Sequence, residues 1–103
     1  MCGIAAVSGV PDAAKQVFLA LYSLQHRGQE AAGIVSIESS EAGGSRIRKG
    51  TGLVSDAFSA ADLDALKGSV AVGHIRYSTA GGAGLHNAPP LLVRYSEGDL
   101  ALA

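Results

Sequence analysis

Two short apolar runs constrain the fold of this chain more than any other feature. They are Cys2–Ser8, which Gly9 and Pro11 close, and Val70–Ile75, which follows Gly68. Apolar runs of this length between turn-forming residues are typical of buried strands. The chain therefore predicts a sheet with two buried strands, of which the second is central and delivers Arg76 to its end.

Between these strands the apolar spacing changes to that of a helix. A stripe recurs at intervals of three and four residues: Ala14, Val17, Phe18, Leu21 and Leu24. Asp12 is a candidate N-cap and Gly28 follows the last turn, so a helix is predicted over about residues 13–27. A capping box at Ser59–Asp62 predicts a second, short helix that ends before Gly68.

Two hairpins complete the pattern. Ile34–Ile37 and Arg46–Arg48 predict the first, and Leu91–Tyr95 begins the second. Glycines at positions 81, 82 and 84 predict a flexible loop over Thr79–His86. The order strand, helix, hairpin, helix, strand, hairpin predicts an α+β protein in which an antiparallel sheet is layered with helices.

Composition indicates that these elements need a covering partner. Hydrophobic residues are 48% of 103, and 14 glycines raise the apolar share to about 62%, against about 45–50% in ordinary globular domains. Only 17% of the residues are charged. We therefore expect a piece of a larger protein, whose other part covers apolar faces and continues the strand that ends the chain at Leu100–Ala103.

Charge and cysteine usage exclude several classes of function. A formal net charge of −1 gives no basic surface for nucleic acid or anionic lipid. No apolar run approaches the roughly 20 residues of a membrane span, and no signal-peptide pattern is present, so we expect a cytosolic protein. Cys2 is the single cysteine of the sequence, which excludes an internal disulfide and a multi-cysteine metal site within the chain.

The position of Cys2 is the strongest chemical feature. Removal of Met1 would give one residue both a thiol and a free α-amine, whose ordinary pKa is about 7.7–8.0. Such an amine can accept the thiol proton and return it to a leaving amide nitrogen. A cysteine that acts only as a small buried hydrophobe is the alternative, and position alone does not separate the two.

Arg76 is the second candidate, because it ends a buried strand and precedes the hydroxyl side chains of residues 77–79. A planar guanidinium at the mouth of a loop suits a bound carboxylate, and a structural ion pair is the alternative. The three histidines, His26, His74 and His86, show no metal-ligand spacing. We assign them no direct chemistry and predict no metal site in this chain.

Three blocks carry a resemblance to a known family. They are Met1–Ile4 (Met-Cys-Gly-Ile), Leu24–Gly33 (Leu-Gln-His-Arg-Gly-Gln-Glu-Ala-Ala-Gly) and Gly73–Gly81 (Gly-His-Ile-Arg-Tyr-Ser-Thr-Ala-Gly). Across the whole chain they resemble the N-terminal glutaminase domain of the glutamine phosphoribosylpyrophosphate amidotransferases. The first block is shared by all N-terminal-nucleophile amidotransferases, whereas the other two in this order are specific to the purine enzymes.

The resemblance implies the N-terminal-nucleophile hydrolase fold, a four-layer sandwich of two antiparallel sheets between helix layers, here present only in part. Residues 1–103 would form the N-terminal part of a class II glutamine amidotransferase domain. Glutamine hydrolysis there would supply ammonia that converts phosphoribosyl pyrophosphate to 5-phosphoribosylamine, the first committed step of purine synthesis. That second reaction would occur at a phosphoribosyltransferase domain outside this chain.

The resemblance also implies roles for individual residues. Cys2 would form a glutamyl thioester, and Arg76 would bind the α-carboxylate of glutamine. The glutamine pocket would be formed by Arg76, Tyr77, Thr79, Arg27 and Gly28. No cofactor is implied in this segment, Mg²⁺ is expected at the phosphoribosyltransferase domain, and the presence of an iron–sulfur cluster stays open. We expect the full-length enzyme to be a homo-oligomer.

Two departures from the family pattern bear on activity. Asn87-Ala88-Pro89-Pro90 stands where the family usually has Asn-x-Gln-Pro, which removes an amide that could anchor the preceding loop. The family's His-Asn-Gly-Asn block, which supplies the oxyanion hole, would begin after Ala103, so we expect this segment alone to be inactive. Two alternatives stay open: a glutaminase domain of the glucosamine-phosphate synthase type, and a non-catalytic scaffold or regulatory protein.

Overall fold

The computed structural model describes residues 2–27, 30–38, 44–77 and 88–103. Along these ranges the elements follow in the order β1 (Gly3–Ser8), α1 (Ala13–Leu24), a 3-10 turn (Gln25–Arg27), β2 (Ala31–Ile37), β3 (Ser45–Thr51), α2 (Val54–Ala57), α3 (Ala60–Ala65), β4 (Val70–Arg76), β5 (Leu91–Tyr95) and β6 (Gly98–Leu102). Within this described part, no helix has both the length and the apolar character needed to cross a bilayer.

Strands β1 to β4 form one antiparallel sheet in the order β1-β4-β2-β3. Gly3 of β1 pairs with Ile75 of β4, and Gly33 of β2 pairs with His74 of β4. Strand β4 therefore has a hydrogen-bonded neighbour on both sides, which confirms the prediction of a central strand that delivers Arg76 to its end. The predicted pairing of β2 with β3 is also confirmed.

Helix α1 packs against one face of this sheet. Its buried side chains are Ala13, Ala14, Val17 and Leu21, and the side chains of Ala71 and Ile75 meet them from β4. At Gly73, a Cβ atom would lie 2.6 Å from Val17 Cγ1 and 2.8 Å from Leu21 Cδ1. The absence of a side chain at Gly73 thus lets the helix approach the centre of the sheet closely.

Strands β5 and β6 form a second, two-stranded antiparallel sheet. It lies on the side of the first sheet opposite α1, where Arg94 of β5 donates a hydrogen bond to the carbonyl of Ser45 at 2.6 Å. Asp99 and Ala101 of β6 line a cleft with Val70 and Val72 of β4. The layers are therefore helix, sheet and sheet, which confirms the α+β class and the stacked antiparallel sheets of the predicted sandwich.

The N-cap prediction at Asp12 is wrong in its mechanism. Helix α1 does begin after Asp12, but this residue has φ 55° and ψ 43°, and its side chain makes no capping hydrogen bond. The carbonyl of Gly68 instead accepts a hydrogen bond from the N–H of Ala13 at 3.2 Å. Tertiary contact with the segment before β4 replaces the local cap, because the left-handed backbone at Asp12 departs from the extended geometry of an N-cap.

The remaining elements agree closely with the sequence pattern. The α-helical part of the predicted 13–27 helix ends at Leu24 and continues as the 3-10 turn. The capping box is present, with Ser59 and Asp62 each bonding the other's backbone N–H. Helix α2 was not predicted, since four residues are too few for a periodic pattern. The predicted loop Thr79–His86 lies outside the described residues.

Candidate active site

Cys2 and Arg76 meet at one end of the four-stranded sheet. Cys2 precedes β1 and is exposed, while Arg76 is the last residue of β4. Because Gly3 pairs with Ile75, the next residue outward on each strand is Cys2 on one and Arg76 on the other. Directly opposed residues of antiparallel strands have Cα atoms about 4.5–5.5 Å apart. The register thus makes the predicted nucleophile and the predicted carboxylate ligand neighbours.

Both side chains lie on the sheet face opposite α1. Ala71 and Ile75 belong to the core against the helix, so strand alternation turns His74 and Arg76 to the other face. A Cβ on Gly3 would meet Ile75 Cγ1 at 2.9 Å, which places Gly3 on the helix side and, by the same alternation, Cys2 on the face of Arg76. The thiol and the guanidinium therefore open toward one side of the sheet.

The end of α1 brings a third segment to this edge. The helix starts beside Gly68, just before β4, and runs along β4, so its C-terminal 3-10 turn contacts the strand near Arg76. The backbone of Arg27 lies in this turn. Tyr77 follows β4 directly and is exposed. Gly28 and Thr79, the other two predicted pocket residues, lie outside the described residues.

Arg76 forms the kind of ion pair that the sequence left open as an alternative, with a partner that the sequence did not identify. Its Nε lies 3.8 Å from Oε2 of Glu30. Glu30 sits immediately before β2, and only the β2–β4 register, with Ala31 opposite Arg76, reveals the proximity. The sequence did single out Glu30 as part of the second family block. The spacing of residues along the chain, however, does not show that Glu30 lies beside Arg76.

His74 lies on the same face, two residues before Arg76, and is only 8% exposed. Its Nδ1 has no hydrogen-bond partner among the described residues. Burial, and then the positive charge of Arg76, lower the pKa of His74 below its ordinary value of 6.5. A neutral imidazole therefore lies beside the guanidinium and does not compete with it for anions.

The segment after the predicted loop is fixed to the sheet without the family's glutamine. Lys49 of β3 donates a hydrogen bond to the carbonyl of Ala88. Pro90 is fully buried and packs on Gly33, where a Cβ would lie 2.7 Å from Pro90 Cδ. Anchoring of Ala88–Pro90 thus rests on a backbone hydrogen bond and on apolar packing, neither of which needs an amide side chain at position 89.

Two chemical functions are available at this edge: nucleophilic attack by a thiol, and binding of a carboxylate by a guanidinium. Cys2 offers a thiol in an exposed position, and Arg76 offers guanidinium donors on the same face. Among the residues that the structure describes, no three His, Cys, Asp or Glu side chains come together as a metal-binding group.

Comparisons with known proteins agree with the sequence resemblance. "Amidophosphoribosyltransferase" of Lacticaseibacillus casei is 50% identical over 103 residues, covering 99% of this chain and 52% of the relative. "Amidophosphoribosyltransferase 1, chloroplastic" of Arabidopsis thaliana is 43% identical over 102 residues, covering 99% of this chain and 18% of the relative. No protein-family model matches the chain.

A solved structure described as the allosteric regulatory enzyme of purine biosynthesis has the same fold. It superposes with a TM-score of 0.87 at 40% identity, covering 98% of this chain and 21% of that one. The chain thus spans about a fifth of the length of this structure and about half of the Lacticaseibacillus relative.

The fold is that of the N-terminal-nucleophile proteins, and the chain matches their N-terminal part. Within that class, the chain is a homologue of the amidophosphoribosyltransferases over essentially its whole length. The predicted resemblance is therefore confirmed.

Proposed function

We propose that this chain forms the glutamine-hydrolysing part of an amidophosphoribosyltransferase. Its Cys2 would release ammonia from glutamine, and the ammonia would displace pyrophosphate from phosphoribosyl pyrophosphate to give 5-phosphoribosylamine. The observation that carries the proposal is the pairing of Gly3 with Ile75, which makes Cys2 and Arg76 neighbours on adjacent strands. The identity of the relatives favours this function over the glucosamine-phosphate synthase and scaffold alternatives.

The proposed reaction uses Cys2 twice. After removal of Met1, the α-amine of Cys2 accepts the thiol proton, and Sγ attacks the side-chain amide carbon of glutamine. The protonated amine then gives its proton to the leaving nitrogen, which departs as ammonia and leaves a glutamyl thioester. Water cleaves this thioester, so that glutamate leaves and the thiol is restored.

Arg76 orients the bound glutamine in this scheme. Its guanidinium would hold the α-carboxylate of glutamine, which directs the side-chain amide toward the neighbouring strand and its cysteine. The exposed Tyr77 and the backbone at Arg27 lie at the same edge, which supports their predicted place beside the substrate. The roles of Gly28 and Thr79 stay predictions.

The proposed overall reaction also needs a part of the enzyme that lies outside these residues. We propose that the chain works as the N-terminal part of a longer, cytosolic, homo-oligomeric enzyme whose phosphoribosyltransferase part holds Mg²⁺ with the pyrophosphate substrate. That the enzyme is longer than this chain rests on the length of the relatives, of which the chain spans between 17% and 52% in the sequence comparisons. Gel filtration and fractionation of cells that express the full-length enzyme test the oligomeric state and the compartment.

Substitution of the nucleophile tests the proposed function. In the full-length enzyme, Cys2→Ala should abolish glutamine-dependent formation of phosphoribosylamine while ammonia-dependent formation continues, because added ammonia bypasses the thioester. Ser8→Ala, at the opposite end of β1, is the matched control and should leave both activities unchanged. Retention of glutamine-dependent activity by Cys2→Ala would contradict the proposal.

Intact mass tests the role of the amine. The active enzyme should lack Met1, since a peptide bond on the nitrogen of Cys2 removes the base. A fully active preparation in which every molecule retains Met1 would show that the proton acceptor is another group.

A further inference from the structure

Glu30 has the geometry of a residue that fixes the position of another. Its backbone N–H donates to the carbonyl of Arg76 at 3.0 Å, and its carbonyl accepts from the N–H of Gly52 at 3.0 Å. The backbone of Glu30 is therefore bonded on one side to the end of β4 and on the other to the residue after β3. The point from which the side chain of Glu30 extends is therefore fixed relative to the end of β4.

The carboxylate reaches the guanidinium at one particular nitrogen. The ion pair joins Glu30 Oε2 to Arg76 Nε at 3.8 Å, so the closest approach is at the nitrogen within the arginine chain and not at the terminal nitrogens. A guanidinium binds a carboxylate in a two-point fashion through pairs of its N–H groups. Contact at Nε thus leaves the terminal Nη1 and Nη2 pair for another anion.

The pair is poorly suited to a purely stabilising role. The side chains of Arg76 and Glu30 are only 23% and 31% exposed, so both charges lose hydration in forming it. Oε2 of Glu30 is buried and makes no hydrogen bond within the described ranges. At 3.8 Å, the ion pair contributes less stabilising free energy than a short, charge-assisted hydrogen bond would. An arrangement with this cost is more readily explained by function than by stability.

We propose that Glu30 is a positioning residue for Arg76: it holds the guanidinium at Nε so that the terminal nitrogens face the side of Cys2. This inference rests on the proposed function, in which Arg76 binds the α-carboxylate of glutamine. Glu30 itself does not touch the substrate in this scheme. Its effect is confined to the fraction of time that Arg76 spends in the orientation that binds glutamine.

The test separates glutamine binding from catalysis. In the full-length enzyme, Glu30→Gln should raise the KM for glutamine about tenfold and leave kcat at saturating glutamine within about twofold, because the reacting groups are unchanged. Ammonia-dependent activity should stay at the level of the unmodified enzyme. Glu38→Gln is the matched control, since Glu38 follows the other end of β2, and it should leave the KM for glutamine unchanged.

A double variant shows whether Glu30 acts through Arg76. Arg76→Lys should raise the KM for glutamine because lysine lacks the two-point fork. Adding Glu30→Gln to Arg76→Lys should raise it no further, since the group to be positioned is already gone. Effects that multiply would mean that Glu30 acts independently of Arg76, which would overturn the inference.

The outcomes distinguish this inference from the proposed function. If Arg76→Lys leaves the KM unchanged, the carboxylate site itself is wrong. If Arg76→Lys raises the KM and Glu30→Gln leaves it unchanged or lowers it, Arg76 binds glutamine but Glu30 does not position it. Should Glu30→Gln fail to fold, Glu30→Asp keeps the charge on a shorter side chain and should give a smaller rise, while an unchanged KM would again overturn the inference.

Discussion

The protonation of His74, which lies beside Arg76, affects the free energy of unfolding of the protein. It lies on the central strand between Ile4 of β1 and Gly33 of β2, and burial and the charge of Arg76 lower its pKa. The folded state therefore binds a proton at this imidazole less readily than the unfolded state does. Linkage then requires the free energy of unfolding to fall as pH falls below about 6.5, the ordinary pKa of histidine.

This linkage gives a prediction for His74→Gln, which removes the titrating group. In the unmodified protein the contribution of His74 should be complete above pH 6.5 and decrease toward the lower pKa of the folded state, by up to about 1.4 kcal/mol per pH unit. The variant should lack this part of the slope. Denaturant unfolding between pH 5 and pH 8 measures it, and identical slopes for the two proteins would refute the assignment.

At the scale of single residues, the sequence shows which residues carry reactive groups better than it shows which residues lie close together. Cys2 stands out because of its place in the chain, and Arg76 because it ends an apolar strand. Glu30 could not be predicted, because its relation to Arg76 depends on how β2 aligns with β4. A shift of one residue in that register would turn the opposite set of side chains to the site. Register is fixed by the packing of the whole sheet, which local patterns do not contain.

Among the elements, the junction of β2 with the segment Ala88–Pro90 depends on close backbone approach. A Cβ at Gly33 would lie 2.7 Å from Pro90 Cδ and 3.0 Å from the carbonyl oxygen of Pro89. Both distances are shorter than ordinary contact, and the second involves backbone. The segment that precedes β5 can therefore pack directly on the sheet because Gly33 has no side chain.

Gly33→Ala should consequently lower the free energy of unfolding by about 1–3 kcal/mol, the usual cost of overpacking. Pro90→Ala removes the nearer clashing atom, so the two substitutions together should cost less than the sum of their separate effects. Urea denaturation of the two single variants and the double variant measures this coupling. Strict additivity would indicate that Gly33 and Pro90 do not meet.

The elements themselves follow the sequence closely because their signals are local. The capping box, the helical stripe of α1 and the alternation of the hairpins all act within a few residues. The exception at Asp12 has a physical cause, since a carbonyl from distant Gly68 satisfies the first N–H of the helix. The packing of β5 and β6 over the sheet was implied only by the family resemblance, because sheet stacking joins residues far apart in sequence.

At the scale of the whole molecule, the outer face of the β5–β6 hairpin exposes part of the apolar excess seen in the composition. Alternation turns Arg94 and Asp99 toward the first sheet, with Arg94 bonded to Ser45. The opposite face carries five large side chains that are all exposed: Leu91, Val93, Tyr95, Leu100 and Leu102. A contiguous apolar patch of this kind is rare on monomeric soluble proteins and favours association.

The 103-residue chain should therefore self-associate through this face when prepared by itself. Val93 and Leu100 are directly paired and 51% and 49% exposed, so Val93→Thr with Leu100→Thr removes apolar surface from the centre of the patch while retaining residues that favour strands. Sedimentation velocity over a range of concentrations should show less association for this double variant, together with weaker binding of an apolar dye. Leu19→Gln, at an exposed position on α1, is the matched control and should associate like the unmodified chain, because it lies on the opposite side of the sheet. Equal association of all three proteins would mean that another surface drives it.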